Sequence, residues 1–95
     1  MSDGLDRRLH AFRDDLADEA LQGKVKSDRF VSGELQRIAM PVVDLRPEPN
    51  QQSGIDSPLI LGDTVKVFDV EGSWAWVQGQ RDNYVGYIPK KALRT

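Results

Sequence analysis

The chain of 95 residues contains no cysteine and a single histidine, His10. Without cysteine it has neither a disulfide framework nor a thiol nucleophile. These two absences also argue against a zinc site, because zinc sites take most of their ligands from cysteine and histidine. We therefore expect no metal and no cofactor, and we interpret His10 as a surface or packing residue.

Neither sign of charge predominates. The 13 basic and 15 acidic residues give a net charge of −2 and are well mixed along the chain. A nucleic-acid or anionic membrane partner would favour a basic surface, so we expect neither. The neighbouring carboxylates Asp14/Asp15 and Asp18/Glu19 are interpreted as solvated charges rather than as an acid–base pair.

Long apolar runs are also absent. No run approaches the roughly 20 residues that a membrane span needs. The first eight residues, Met1–Arg8, hold no apolar region of a signal peptide, so we expect a cytoplasmic protein if Met1 is the natural start. A chain of 95 residues has room for one core.

Short apolar segments separated by turn residues fill the C-terminal part. Strand-like runs over Val65–Val70, Trp74–Gln78 and Tyr84–Ile88 are separated by Glu71-Gly72-Ser73 and Arg81-Asp82-Asn83. This spacing is typical of a small antiparallel barrel. We predict a mainly β fold of five to six antiparallel strands over residues 24–95.

Residues 1–23, which we call the arm, follow a different pattern. Leu5, Leu9, Phe12 and Leu16 recur at helical spacing. Asp14 or Asp15 can cap a helix and Gly23 can end one, so we predict a short helix near 15–22. Before it we expect a loosely structured segment whose apolar side chains dock on something.

The middle of the chain predicts further strands. Phe30-Val31 and Glu34–Ile38 around Ser32-Gly33 indicate a hairpin with a two-residue turn. Apolar strand material continues from Ile38 to Leu45, where Pro41 implies an edge or a bulge. Arg46–Pro58 is a proline-rich loop, and loops of this length are usually functional or disordered. Leu59–Leu61 is expected to return to the core.

Strand alternation places the aromatic side chains. Ala75 and Val77 fit the barrel interior, so Trp74 and Trp76 are expected outside, as a surface aromatic patch. The alternative is that the arm or a following domain buries this patch. On the next strand Tyr87 shares a side with Val85 and Pro89 unless a bulge near Gly86 exchanges the faces; Ile88 is expected in the core.

Several segments together resemble the bacterial SH3b version of the SH3-type barrel. They are Leu61–Val67, Gly72-Ser73-Trp74 with Val77, and Gly86–Pro89 with Leu93. Eukaryotic SH3 domains carry a tyrosine-rich motif on the first strand, whereas Ala39–Leu45 has no tyrosine. A groove for proline-rich peptides is therefore not expected.

A narrower resemblance covers nearly the whole chain. Leu5–Glu19, Val43–Arg46 with Asp56–Leu59, and Arg81–Tyr87 look like the N-terminal SH3b part of NlpC-type cell-wall cysteine peptidases, the γ-D-glutamyl-L-diamino acid endopeptidases. Asn83 stands where that family has glycine. The family's papain-like domain, with its catalytic Cys and His, has no counterpart here, so we expect either an excised domain or a stand-alone descendant.

The resemblance implies a non-catalytic module that packs beside a papain-like catalytic domain and shapes the subsite for the N-terminal L-Ala of murein stem peptides. Tyr84 occupies the family position whose tyrosine faces that pocket. Asp56 is the second candidate, because a carboxylate pairs with an α-ammonium; the alternative is that it only forms a turn. Trp74, Trp76 and Tyr87 are assigned to an aromatic interface with the catalytic domain or the arm.

Two other functions stay open. One is a stand-alone module that targets intact peptidoglycan. The other is an SH3-like adaptor whose aromatic patch binds a protein partner.

Overall fold

The computed structural model of the protein describes residues 5–94, in which short strands follow one another with little helix. The strands are β1 (Ala17–Asp18), β2 (Phe30–Val31), β3 (Glu34–Ile38), β4 (Val42–Leu45), β5 (Ser57–Ile60), β6 (Thr64–Glu71), β7 (Trp74–Gly79), β8 (Val85–Pro89) and β9 (Leu93–Arg94). Two 3₁₀ helices cover Glu19–Leu21 and Lys90–Ala92.

The barrel consists of one five-stranded antiparallel sheet and one hairpin. The sheet has the order β8-β7-β6-β3-β9, and β4 pairs with β5. The two parts meet where the backbones of Arg46 and Tyr87 exchange hydrogen bonds of 3.0 and 2.7 Å. This is the predicted mainly β, SH3-like architecture.

Gly86 permits that junction. A Cβ atom at this position would lie 2.6 Å from the carbonyl oxygen of Arg46 and 2.9 Å from the Leu45 side chain. Only a residue without a side chain lets β8 pass so close to the end of β4.

The main core lies between the sheet and the hairpin. Its buried side chains come from seven strands and the second 3₁₀ helix: Ile38, Val43, Leu45, Leu59, Val65, Val67, Ala75, Val77, Ile88, Ala92 and Leu93. The predicted alternation on β7 is confirmed, because Ala75 and Val77 belong to this core and Trp76 does not.

The alternation on β8 is also confirmed. Ile88 is fully buried in the main core, while Val85 and Tyr87 face a second cluster on the other side of the sheet. The β7–β8 register is regular through Gly86. The irregularity lies instead in β6, between Val67 and Asp69.

The predicted hairpin at Ser32-Gly33 is wrong. β2 pairs in parallel with β1, whereas β3 pairs with β6 and β9. A two-residue hairpin turn requires positive φ values, and within residues 5–94 the positive values fall elsewhere, at Gly23, Gly62, Gly72 and Asn83. The chain at Gly33 instead runs closely past the Lys66 side chain.

The predicted helix near 15–22 is shorter and begins later. Ala17 and Asp18 are drawn into pairing with β2, so the 3₁₀ helix starts only at Glu19. Its cap is Asp18, not Asp14 or Asp15, and the Asp18 carboxylate accepts a hydrogen bond of 3.1 Å from the Ala20 amide. Gly23 follows the helix with φ 88°, so it ends the helix as predicted.

Leu59–Leu61 returns to the core only in part. Leu59 is 1% exposed, but Ile60 and Leu61 are 50% and 63% exposed. Because side chains alternate along β5, Ile60 faces outward, and Leu61 already belongs to the turn that contains Gly62.

Pro41 lies between β3 and β4, where the chain leaves one sheet for the other.

The arm has a small apolar cluster of its own. Phe12, Ala17, Leu21 and Val25 are buried together, with Phe30 beside them. The pairing of β1 with β2 thus joins residues on both sides of Gly23; the division into an arm of residues 1–23 and a barrel of residues 24–95 stays a prediction. No helix in residues 5–94 is both long and apolar enough to span a membrane.

Candidate functional site: a cleft between the arm and the barrel

The arm covers the outer face of β7 and β8. Ala11 and Leu16 of the arm are buried against the barrel side chains Phe68, Trp76 and Val85. This second cluster exists because strand alternation that puts Ala75 and Val77 inside leaves a large indole outside. Burying such a ring stabilises a fold by on the order of 3 kcal/mol.

Two hydrogen bonds hold the arm beside β7 and β8. The Val85 amide at the edge of the sheet donates to the Arg8 carbonyl at 2.7 Å. The side-chain amide of Gln78 donates to the Leu9 carbonyl at 3.1 Å. These contacts satisfy an edge that would otherwise be open.

Arg13 connects the arm to the barrel. Its guanidinium carbon lies 4.4 Å from the centroid of the Trp76 ring, and Nη2 donates to Asp69 at 2.9 Å. Nη1 donates to the Tyr87 hydroxyl at 3.3 Å, while Nε and Nη2 donate to Asp15 at 2.9 Å. Burial alone would lower the pKa of Arg13, but its hydrogen bonds to Asp15, Asp69 and Tyr87 raise it, so the cation is permanent.

A cleft of about 230 Å³ lies between the arm and the barrel. We call it the arm–barrel cleft. The arm side is formed by Arg7, Arg8, Phe12 and Arg13. The barrel side is formed by Pro47, Asp56, Trp76, Val85, Gly86 and Tyr87. Its walls therefore combine aromatic surface with three guanidinium groups and one carboxylate.

Asp56 reaches the cleft from the end of the proline-rich loop. Its amide donates to the Leu45 carbonyl at 2.8 Å, which fixes the backbone next to β4. Arg46 holds the loop by donating to the carbonyls of Ser53 and Gln51 at 2.7 and 3.1 Å. The Oδ2 atom of Asp56 is buried and accepts no hydrogen bond within the described part of the chain.

The three arginines of the cleft are already paired. Arg7 lies 3.3 Å from Asp14, Arg8 lies 3.1 Å from Asp6, and Arg13 is held by Asp15 and Asp69. The hydrogen bond to Arg8 lowers the pKa of Asp6, and the one to Arg13 lowers that of Asp15.

Arg7, Arg8 and Arg13 pair with carboxylates that do not line the cleft, and Asp56 lies near the Arg8 guanidinium. Asp56 is the carboxylate in the cleft wall, and its Oδ2 atom accepts no hydrogen bond within residues 5–94. A cationic hydrogen-bond donor would complement that atom.

Tyr84, the other predicted substrate residue, lies beside the cleft rather than in its walls. The side chain is half-buried and packs against the main core. Its amide donates to Asp82 at 3.1 Å, next to Asn83 with φ 66°. The pKa of Arg8 is raised mainly by Asp6, and Asp56 and Tyr84 add to the shift, so both groups lie near that guanidinium.

The arm covers part of the predicted aromatic patch. Trp76 is only 4% exposed under the arm. Trp74, Trp76 and Tyr87 nevertheless line one small cavity of about 40 Å³ together with Pro49, Asp69 and Glu71. Trp76 and Tyr87 line the arm–barrel cleft. Trp74 is half-buried and lines a separate groove of about 460 Å³ with Ser73, Pro89, Lys90, Lys91 and Gln51. The binding roles of these residues stay predictions.

Sequence reasoning missed Phe12 and Arg13 as cleft residues. Phe12 was noticed only for its helical spacing, and Arg13 follows it directly. The available signal for such a cleft residue is an arginine beside an apolar residue in a segment that is expected to dock. A guanidinium in such a segment can pack on the face of an indole. The partner indole on β7 is too distant in sequence to be paired with it in advance.

Within residues 5–94 no group of three or more His, Asp or Glu side chains is arranged to hold a metal ion.

The fold defines a small SH3-like barrel, and the sequence holds no cysteine and therefore no thiol nucleophile. The family described as the bacterial dipeptidyl-peptidase SH3 domain matches residues 45–93, which is just over half of the chain. The chain belongs to this family of bacterial SH3 domains. No curated protein and no solved structure was found to match it.

Proposed function

We propose that this chain is the accessory module of a murein-peptide peptidase of the NlpC type. In this proposal the module packs beside a papain-like catalytic domain. The arm–barrel cleft contributes the subsite for the free N-terminal L-Ala of a stem peptide. The family of the chain supports the accessory role, since its description refers to a dipeptidyl-peptidase.

The observation that carries the proposal is the unsatisfied Oδ2 atom of Asp56. A buried carboxylate oxygen without a partner costs free energy, commonly 1–3 kcal/mol or more. An unsatisfied buried polar atom in a native structure requires an explanation, and in this proposal the explanation is a bound ammonium group. The α-ammonium of a peptide supplies both the charge and the hydrogen-bond donors that this oxygen lacks.

The cleft walls fit the rest of an N-terminal alanine. Val85 and the rings of Trp76 and Phe12 provide apolar contacts for a methyl group. Gly86 adds no side chain to this wall.

Tyr84 has a proposed role at the mouth of the cleft. In this proposal the Tyr84 phenol, whose charge interaction with Arg8 is the smallest of the causes that shift the Arg8 pKa, contacts the substrate beyond the first residue. A phenol there offers an apolar wall and one hydrogen bond. This role requires the peptide to extend from Asp56 past Arg8.

Nuclear magnetic resonance titration of the ¹⁵N-labelled chain with L-Ala-γ-D-Glu-diaminopimelate tests the proposal. We expect shifts at Asp56, Val85 and Gly86, with a dissociation constant on the order of 1 mM because the catalytic domain's part of the subsite is missing. The N-acetylated peptide, which has no ammonium, is the control and should shift these signals far less.

Two results would contradict the proposal. One is equal binding of the free and the N-acetylated peptide, because an ammonium would then contribute nothing. The other is hydrolysis of the peptide by the pure chain, because an accessory module should leave it intact for hours in a chromatographic assay.

A second candidate function is favoured by the groove at Trp74. Its half-buried indole lies beside Lys90 and Lys91, and within residues 5–94 neither lysine lies within 4 Å of a carboxylate. Such a groove suits binding to intact peptidoglycan or to an anionic protein partner. Sedimentation with insoluble sacculi distinguishes the two functions, because a subsite module alone should stay in the supernatant.

A further inference from the structure

The arm–barrel cleft has two walls that come from distant parts of the chain. Phe12 and Arg13 belong to the arm, whereas Trp76, Val85 and Asp56 belong to the barrel. If the arm lifts from the barrel, one wall is lost and the Asp56 carboxylate is exposed to water. The cleft therefore exists only while the arm is docked.

Besides the hydrogen bonds from Val85 to Arg8 and from Gln78 to Leu9, Arg13 makes the contacts of a charged side chain that keep the arm in this position. Its guanidinium covers the Trp76 ring and donates to Asp69 on β6 and to the Tyr87 hydroxyl on β8. It also donates to Asp15 of the arm itself. One side chain thus connects three barrel strands to the arm and contacts both aromatic rings that the barrel contributes to the cleft wall.

We infer that Arg13 is the positioning residue of the cleft, and that docking of the arm and occupation of the cleft are coupled. The identity of the ligand rests on the proposed function, but the docking role of Arg13 does not. A ligand that binds only the docked state must shift the equilibrium toward it. By the same linkage, loosening the arm weakens the ligand's affinity.

Amide hydrogen exchange of Val85 reports arm docking without any ligand. This amide is protected by its bond to the Arg8 carbonyl, which breaks when the arm lifts. In Arg13→Gln we expect about a tenfold loss of Val85 protection, since a cation–π contact and charge-assisted hydrogen bonds are lost. Amides of the central strand β6 should keep their protection.

Matched variants separate docking from general effects of charge. Arg37→Gln removes the same charge from an exposed position on β3 and should leave Val85 protection unchanged. Arg13→Lys keeps the cation but not the planar fork, so it should restore part of the protection. Equal Val85 protection in the wild type and Arg13→Gln would overturn the inference.

Fluorescence of Trp76 gives a second reading of docking. In a Trp74→Phe background Trp76 is the remaining indole, because the chain has two tryptophans. Acrylamide should quench it weakly while Arg13 is present and several-fold more strongly in the added Arg13→Gln variant. Unchanged quenching would count against the inference.

The dipeptide L-Ala-γ-D-Glu tests the coupling itself. Saturating dipeptide should raise Val85 protection in the wild type, and Arg13→Gln should bind it about tenfold more weakly. Binding that leaves Val85 protection unchanged would overturn the coupling. Failure of the wild type to bind the dipeptide would refute the proposed function and this coupling, while the ligand-free experiments would still decide the docking role.

Discussion

The guanidinium of Arg13 lies over the ring of Trp76, with 4.4 Å between its central carbon and the ring centroid. Trp76 also packs against Phe68, with 5.6 Å between the ring centroids. The indole therefore lies between the arm and the sheet. This contact makes the arm part of the folded unit on which the cleft depends.

The two tryptophans should contribute very differently to stability. Trp76→Ala removes a ring that is 4% exposed and is expected to lower the free energy of unfolding by about 3–5 kcal/mol. Trp74→Ala removes a half-buried ring from a groove and should cost about 1 kcal/mol. Urea denaturation followed by circular dichroism measures both. Equal losses would contradict the placement of Trp76 under the arm.

Replacement of Gly86 by alanine should strain the junction between the sheet and the hairpin. The added Cβ would lie 2.6 Å from the Arg46 carbonyl oxygen, and such overpacking costs about 1–3 kcal/mol. Gly54→Ala is the control, because its Cβ would meet no atom within 4 Å. It should be neutral or stabilise by up to about 1 kcal/mol. Thermal unfolding compares the variants. Equal melting temperatures of Gly86→Ala and Gly54→Ala would contradict the close approach of Gly86 to Arg46.

Acid should destabilise the protein partly through Asp63. The pKa of Asp63 is lowered from its ordinary value of 3.8, mainly by the hydrogen bond from the Ile60 amide and also by Arg81, although burial opposes the shift. The ionised Asp63 therefore adds its full contribution to the free energy of unfolding above pH 3.8, the ordinary pKa that it has in the unfolded chain. This contribution is lost as the pH falls through the lowered pKa of the folded protein.

Asp63→Asn removes this titration. The free energy of unfolding, measured by urea denaturation between pH 6 and 2, should fall less steeply with acid in the variant than in the wild type. Arg81→Gln removes only the secondary cause and should have a smaller effect. An unchanged slope in Asp63→Asn would refute the assignment.

The barrel was predictable because its signals are local. Turns with glycine and asparagine separate strands in which apolar side chains alternate clearly. This alternation alone predicts that Ala75, Val77 and Ile88 face the core. The family resemblance rested on the same segments, and the family match over residues 45–93 confirms the bacterial SH3 assignment.

The arm was less predictable because long-range contacts decide its structure. Ala17 and Asp18 carry helix signals, yet pairing with β2 takes them into a strand. Ser32-Gly33 resembles a hairpin turn, but β2 pairs with β1 and β3 pairs with β6, so the two residues connect different sheets. In both places a partner distant in sequence outweighs the local preference.

The candidate site was found only in part for the same reason. Asp56 is a sequence prediction because its carboxylate can pair with an α-ammonium, and in the structure Asp56 lines the cleft. Arg13 and Phe12 acquire their positions from the docking of the arm on Trp76. No local pattern in the sequence carries that information.

The role of Asp56 as ammonium acceptor is tested most directly by Asp56→Asn, titrated with L-Ala-γ-D-Glu-diaminopimelate and with its N-acetylated form. We expect the wild type to prefer the free amine by about tenfold or more, since hydrogen bonds to charged groups contribute about 1.5–3 kcal/mol. The variant should lose this preference while remaining about as stable, because within residues 5–94 Oδ2 has no hydrogen-bond partner to lose. An undiminished preference for the free amine in Asp56→Asn would contradict the role of Asp56.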